Sequence, residues 1–360
     1  MAFKENRPKK LLLILLDGVR WDYEKKFNMK SLQRIREIGF SVDMLQPCYP
    51  SMSAPNYYSA TTGKHPGNHG LINNTMFEEE KNIEFRAFVN PPDPICLDEM
   101  WWSEAEPLWI SATKSSLRVH MYRWFGSTVA RNDVVPVLSS EYIDGYPICH
   151  MQNDLLKALD LFVNDSSDFI GFYVGATDDA GHFHGVESEI TEKTCRIVDE
   201  NLLELLDILD TKKNKYDNLL KDEVNVVIFS DHGMTQLNSE KTVNIYQILS
   251  KIEHLNVHKR EDIPERFHYG QHPRVGDIFA YTDLPYVFYN PEKKLNGNHG
   301  FDNAEKDMQG IFYAFGPDII ENGKTTKASM VDIYPLLCQL LKIKIFDCDS
   351  ESEALLAALK

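Results

Sequence analysis

Apolar runs of strand length in this chain end on side chains of metal-binding type. Leu11–Leu16 is closed by Asp17, and the run V-N-V-V-I-F-S from Val224 to Ser230 is closed by Asp231 and His232. Runs without polar alternation fit strands buried on both faces, as in a parallel sheet covered by helices. Leu11–Leu16, Leu108–Ala112, Phe169–Val174, Val224–Ser230 and Gly310–Phe315 read as such strands. Met29–Ile38, Met151–Val163, Ile190–Leu209 and Met330–Leu341 repeat their apolar residues near a 3.6 period and read as helices. The expected fold is α/β, a mostly parallel sheet sandwiched by helices, in a single domain spanning 1–360. The charged stretches Thr211–Asp222, Lys251–Arg266 and Asn290–Asn298 read as surface connections.

Strand ends are where such a sheet binds ligands, in the crevice beyond the carboxyl ends. Asp17, Asp178 and Asp231 each fall at or just after the end of an expected strand. In D-D-A-G-H, Asp178 and His182 stand four apart, the spacing of two ligands on one helical turn; His184 does not fit that spacing. His299 lies in G-N-H-G-F-D, and Gly233 after His232 suits a tight turn. Each fragment alone reads as a helix cap or a surface histidine. Together they supply carboxylate and imidazole for two zinc-like ions, since Zn²⁺ takes N and O ligands. Ser53, in the loop-like P-S-M-S-A-P-N, is the candidate nucleophile, a weak one unless an ion favours its alkoxide. The combination points to hydrolysis of a phosphate ester.

Composition narrows the partners. With 38 basic and 54 acidic residues the formal charge is −16, a field that opposes a nucleic-acid backbone. No apolar stretch approaches the ~18 residues that span a bilayer. Leu11–Leu16 is too short for a secretory leader, so the expectation is a chain with no export signal and no anchor. The six cysteines show no CxxC spacing and leave disulfides open, and the sequons at Asn73 and Asn164 are about chance in number. Nothing in the sequence sets an oligomeric state.

The order and wording of these fragments resemble the nucleotide pyrophosphatase/phosphodiesterase family of the alkaline phosphatase superfamily. The resemblance runs from Lys10 to about Ile343. S-A-P-N-Y-Y-S-A-T-T-G-K-H-P-G-N-H-G-L-I-N-N is similar to the family's nucleophile segment; E-P-L-W-I-S-A-T and N-H-G-F-D-N with the later F-G-P also match. The resemblance implies an alkaline-phosphatase-like fold and two Zn²⁺ per chain. One ion would be held by Asp17, Ser53, Asp231 and His232, the other by Asp178, His182 and His299. Asn74 would donate to a non-bridging oxygen, and attack by Ser53 would give a phosphoseryl intermediate that water releases. The family habit also implies an extracellular or cell-surface location.

The substrate implied is a small phosphodiester, membrane lipids included. Most similar proteins use threonine followed by an aromatic residue, which sandwiches a nucleobase with a downstream tyrosine. Here Ser53 is followed by Ala54, with Tyr142 as a remaining wall. Loss of one stacking face removes on the order of 0.5–1.5 kcal/mol. Serine here, with S-A-P-N-Y-Y, Trp101–Trp102 and M-Y-R-W, looks most like the choline-specific glycerophosphodiester phosphodiesterase branch, which releases phosphocholine from glycerophosphocholine or lysophosphatidylcholine. Tyr142, Tyr173 and Trp124, with Glu141, are its candidate trimethylammonium cage. The alternatives are a nucleotide pyrophosphatase/phosphodiesterase and an inactive binding protein on the same fold. A phosphomonoesterase ranks low, because no motif arginine faces a further anionic oxygen. Two departures from the family are expected: a chain short between about 245 and 260, and one without the family's C-terminal anchor.

Overall fold

The computed structural model describes residues 8–360 except 90–92, 141, 144, 239–241, 244–251, 277 and 289–294, and describes no side chains at 242 and 243. Its centre is an eight-stranded sheet. In chain order the strands are β1 (Lys10–Leu16), β2 (Phe40–Gln46), β3 (Val119–Tyr122), β4 (Leu138–Ser139), β5 (Phe169–Val174), β6 (Val224–Phe229), β7 (Gly310–Phe315) and β8 (Gly323–Ser329). They lie side by side as β8-β2-β7-β6-β1-β5-β3-β4. Every pairing is parallel except those of β7 with β2 and β6.

β1 shows why these runs become central strands. All its side chains are buried, and alternate residues serve opposite faces. Leu11, Leu13 and Leu15 join one core with Tyr57, Ile110 and Leu337. Leu12, Ile14 and Leu16 join the other with Leu32, Leu159 and Leu202. Helices Ser53–Thr62 (α2), Leu108–Lys114 (α3) and Ile333–Leu341 (α7) cover the first face. Helices Lys30–Ile38 (α1), Met151–Val163 (α4) and Glu189–Thr211 (α6) cover the second. Each β1 leucine contributes about 1.5–3 kcal/mol by burial. Leu13→Ala would remove about 2–5 kcal/mol, since the sheet cannot collapse onto the void.

Most expected elements form within a residue or two of their expected bounds. The run Leu108–Ala112, expected as a strand, is helical: Pro107 sits at the N-cap with extended backbone, and Leu108, Trp109, Ile110, Ser111 and Ala112 are all buried. A short helix packed all round has no polar stripe to betray it. The strand of this region is β3, eleven residues further on. Ser53, expected in a loop, is the first residue of α2. Met330–Leu341 begins as a 3₁₀ turn, Met330–Asp332, whose Ser329 and Asp332 form a capping box. The Lys251–Arg266 connection contains a strand, Leu255–Lys259, paired with Ile278–Thr282. All six cysteines are unpaired, four of them buried. Among the described residues no helix is long and apolar enough to cross a membrane.

Candidate metal centre and nucleophile

Three adjacent parallel strands at the middle of the sheet, β6-β1-β5, open on one crevice. Asp17 follows β1 directly; Asp231 and His232 follow β6 after Ser230. Asp178 and His182 are carried by helix α5 (Ala176–His184), which starts two residues after β5. His299 arrives from the short strand Gly297–Asn298. Gly233 has a reason other than the expected turn: a Cβ there would come 2.2 Å from the Asp307 carbonyl oxygen, so the β6 exit must pass close to that backbone.

The ligand atoms converge. Asp178, His182 and His299 offer atoms within 4.8 Å of one another, and so do Asp17, Asp178 and His232. His182 Nε2 lies 3.3 Å from Asp178 Oδ2, and His299 Nε2 lies 3.7 Å from Asp178 Oδ1. His232 Nε2 lies 3.4 Å from Asp17 Oδ1 and 3.8 Å from Asp231 Oδ2. Ser53 Oγ sits 3.1 Å from the same Nε2, at the start of α2, where the helix dipole favours an anion.

The other ring nitrogens fix the tautomers. Nδ1 of His182, His299 and His232 faces the carbonyl oxygens of Gly297, Ser51 and Gly233 at 3.2, 3.1 and 2.8 Å. A carbonyl only accepts, so each Nδ1 carries the hydrogen, and in the neutral ring each Nε2 turns a lone pair inward. The Nε2 atoms of His182 and His299 stand 2.9 Å apart. Asp17 Oδ1, Asp178 Oδ1 and Asp231 Oδ2 are buried with no hydrogen-bond partner. Lone pairs and orphaned carboxylate oxygens facing one another are repulsive until a cation lies between them. This donor set fits divalent ions of the zinc type.

The electrostatics differ across the site. Burial, then the charges of Asp231 and Asp178, push Asp17 well above the usual carboxylate range. Burial raises Asp231 too, against the opposing pull of His232. Burial would also raise Asp178, but His182, His299 and His232 hold it below its ordinary value. His182 is raised: burial opposes its charge and Asp178 outweighs it. Burial and His232 press His299 well below the usual histidine value.

Around this core, Asn74 Oδ1 accepts from the Ala54 N–H at 2.9 Å, which orients the amide beside Ser53. Tyr142 and Tyr173 meet edge to face at 5.6 Å and line a small cavity with Tyr146, Arg123 and Asp179. Trp124 does not belong with them. It is 1% exposed, in the core with Tyr57 and Trp109, so its ring is covered by protein rather than offered to a ligand. Glu141 lies outside the described residues. The groups that orient these side chains could not be picked out from the sequence. Gly18 N–H and His232 N–H both donate to Asp231 Oδ1, at 3.3 and 3.0 Å. Thr177 donates to the Asp17 carbonyl. Most of these partners are backbone groups, which leave no mark in residue type.

Carboxylates and imidazoles gathered beside a serine at the carboxyl edge of an α/β sheet define a metal-dependent phosphoric ester hydrolase of the alkaline-phosphatase-like class. The family model described as type I phosphodiesterase / nucleotide pyrophosphatase matches residues 11–253 and 246–302. The chain belongs to that family and is a phosphoric diester hydrolase. Human ectonucleotide pyrophosphatase/phosphodiesterase family member 5 is 30% identical over 369 residues, covering 93% of this chain and 74% of that protein. The human bis(5'-adenosyl)-triphosphatase ENPP4 is 28% identical over 373 residues, 94% of this chain and 79% of its own. The solved structure of human member 5 matches with a TM-score of 0.88 at 28% identity, covering 98% of this chain and 100% of that one. An inactive variant of the murine member 5, in complex with AMP, matches with a TM-score of 0.85 at 27% identity over the same shares.

Proposed function

We propose that the chain hydrolyses a small phosphodiester with two zinc ions and Ser53 as nucleophile. The observation that carries this reading is the convergence of inward Nε2 lone pairs and orphaned carboxylate oxygens within reach of Ser53 Oγ. One ion takes Asp17, Ser53, Asp231 and His232; the other takes Asp178, His182 and His299. When bound, the pair supplies Lewis acidity to the phosphoryl oxygens and stabilises the attacking and leaving oxygens. The Ser53 oxygen gives up its proton to water and bonds to phosphorus as the bond to the departing group breaks; that electron pair leaves with the departing oxygen, which takes a proton from water to become the alcohol. The result is a phosphoserine still esterified to one arm. Water then displaces Ser53. Asn74, its Oδ1 occupied by the Ala54 N–H, has its Nδ2 to donate to a non-bridging oxygen.

The retained arm is a choline head group in our reading, so glycerophosphocholine or lysophosphatidylcholine would give phosphocholine. Ala54, fully buried after Ser53, offers no ring for a base to stack on. Tyr142 and Tyr173 line one cavity with the Asp179 carboxylate, the chemistry a trimethylammonium seeks, while the Tyr146 face is already taken by the Arg123 guanidinium at 3.6 Å. That cavity is about 20 Å³, room for one water, so the head group would sit at its mouth against half-buried Tyr142. A second reading is a nucleotide substrate, favoured by the AMP complex of the murine relative. Zinc-loaded protein offered nitrophenyl phosphorylcholine beside the matched thymidine ester separates them. Preference for the thymidine ester would discard the choline arm; inactivity on both with two ions bound would discard the reading as an enzyme of this class.

A further inference from the structure

Tyr173 does more at this site than line it. It stands on β5 opposite Leu15 of β1, one residue short of the strand's end. Its hydroxyl donates to Asp17 Oδ2 at 2.6 Å, a charge-assisted length. The other oxygen of that carboxylate, Oδ1, is buried without a partner and lies 3.4 Å from His232 Nε2. The tyrosine is itself held in place. Tyr142 packs edge to face on its ring at 5.6 Å, and a Cβ at position 175 would come 2.9 Å from its hydroxyl, so Gly175 leaves the room it needs.

We infer that Tyr173 is a positioning residue for the metal ligand Asp17, holding Oδ2 so that Oδ1 alone faces the cation shared with Asp231 and His232. This rests on the proposed role of Asp17 as a ligand. A carboxylate at a strand end can rotate about its last bond and chelate through both oxygens or neither. A donor on one oxygen removes that freedom and fixes one ligand direction, as the outer partners of metal ligands do. The hydroxyl is thereby committed, and only the ring remains to meet a substrate.

Tyr173→Phe keeps the ring and removes the hydroxyl. Zinc affinity is read by competition with a chromophoric chelator, step by step for the two ions. The expected result is about a tenfold to hundredfold weaker affinity for one ion, with the other unchanged. At saturating zinc, KM for nitrophenyl phosphorylcholine stays near the parent value while kcat falls. Tyr142→Ala, which removes the neighbouring wall but no hydrogen bond to Asp17, raises KM and leaves both zinc affinities within about twofold. Parent-like affinity for both ions in Tyr173→Phe would overturn the inference. Weakening of both ions, or a clearly lower melting temperature of the metal-free variant, would mark a merely structural role and overturn it equally. A parent chain that binds no zinc would instead sink the proposed function.

Discussion

The two sides of the candidate metal centre are built from different parts. Asp17, Asp231 and His232 leave adjacent central strands and are 2%, 0% and 0% exposed. Asp178, His182 and His299 come from a nine-residue helix and a loop, with side chains 15%, 19% and 6% exposed. On the inner side two carboxylates share one imidazole, and both are pushed up in pKa. On the outer side two imidazoles share one carboxylate, which is held down. The inner side is rigid and internally repulsive, so a cation relieves it. The outer side compensates its own charge and opens to solvent, so its ion should leave first.

The largest effect should come from the hydroxyl beside the inner side's His232. Ser53→Ala is expected to lower turnover on the order of 10³-fold or more while zinc content stays near two per chain. Undiminished turnover would remove Ser53 as nucleophile. The next test sets the sides against each other. Asp231→Asn should cost one ion and at least about a hundredfold in activity, yet raise the stability of the metal-free protein by about 0.5–2 kcal/mol, because it removes a carboxylate whose ionised form burial and Asp178 oppose. His182→Asn should also cost one ion, but lower metal-free stability, because Asp178 loses a compensating partner. Calorimetric melts in chelator with metal analysis read both; the same sign in both variants would break the comparison.

What the sequence reveals of this contrast follows from which interactions residue type encodes. Asp17, Asp231 and His232 were legible because a buried strand is an unbroken apolar run, and the first charge after it is conspicuous. Asp178 and His182 were legible from the four-residue spacing of a helix. The outward Nδ1 partners are carbonyls of Ser51, Gly233 and Gly297, which any residue supplies. Leu108–Ala112 misled because burial of all five side chains erases the helical period. The edge strand Gly323–Ser329 escaped notice because it is largely polar, needing only backbone pairing with Phe40–Gln46. Tyr173 was visible as an aromatic residue near the site, but its hydroxyl's commitment to Asp17 is a tertiary fact.

Zinc uptake sharpens the contrast in protons. With Asp17 and Asp231 raised, and His182 raised beside Asp178, the metal-free site holds protons that an arriving cation must displace. Titration calorimetry in two buffers of different ionisation enthalpy should therefore show proton release that grows as pH falls from about 8 to about 5.5, with affinity weakening alongside. Buffer-independent heats across that range would contradict the raised pKa of the two inner carboxylates and His182.

The smallest effect concerns the support beneath the inner side. His69 is fully buried under α2, the helix that presents Ser53. Its Nε2–H donates towards the Pro55 carbonyl at 3.1 Å with Ser59 Oγ at 2.9 Å, while its Nδ1 accepts the Leu71 N–H at 3.2 Å. Both nitrogens are committed to the neutral ring, and burial lowers its pKa to about 3. Between the unfolded value near 6.5 and about 3, the unfolded chain binds a proton that the folded chain refuses. His69 therefore contributes stability that is present above the unfolded value and is lost as pH falls, by up to about 1.4 kcal/mol per pH unit. His182, raised instead, adds stability below its unfolded value and loses it as pH rises through its folded one. The raised inner carboxylates also titrate at acid pH, so a single melt curve would mix the signs. The difference between the parent and His69→Gln isolates the one group, since glutamine keeps a donor for Pro55 and does not titrate. That difference in stability should shrink steadily below about pH 6.5. A gap independent of pH would mean that His69 accepts a proton in the folded state, and that the helix carrying Ser53 rests on a softer floor than the inner ligands do.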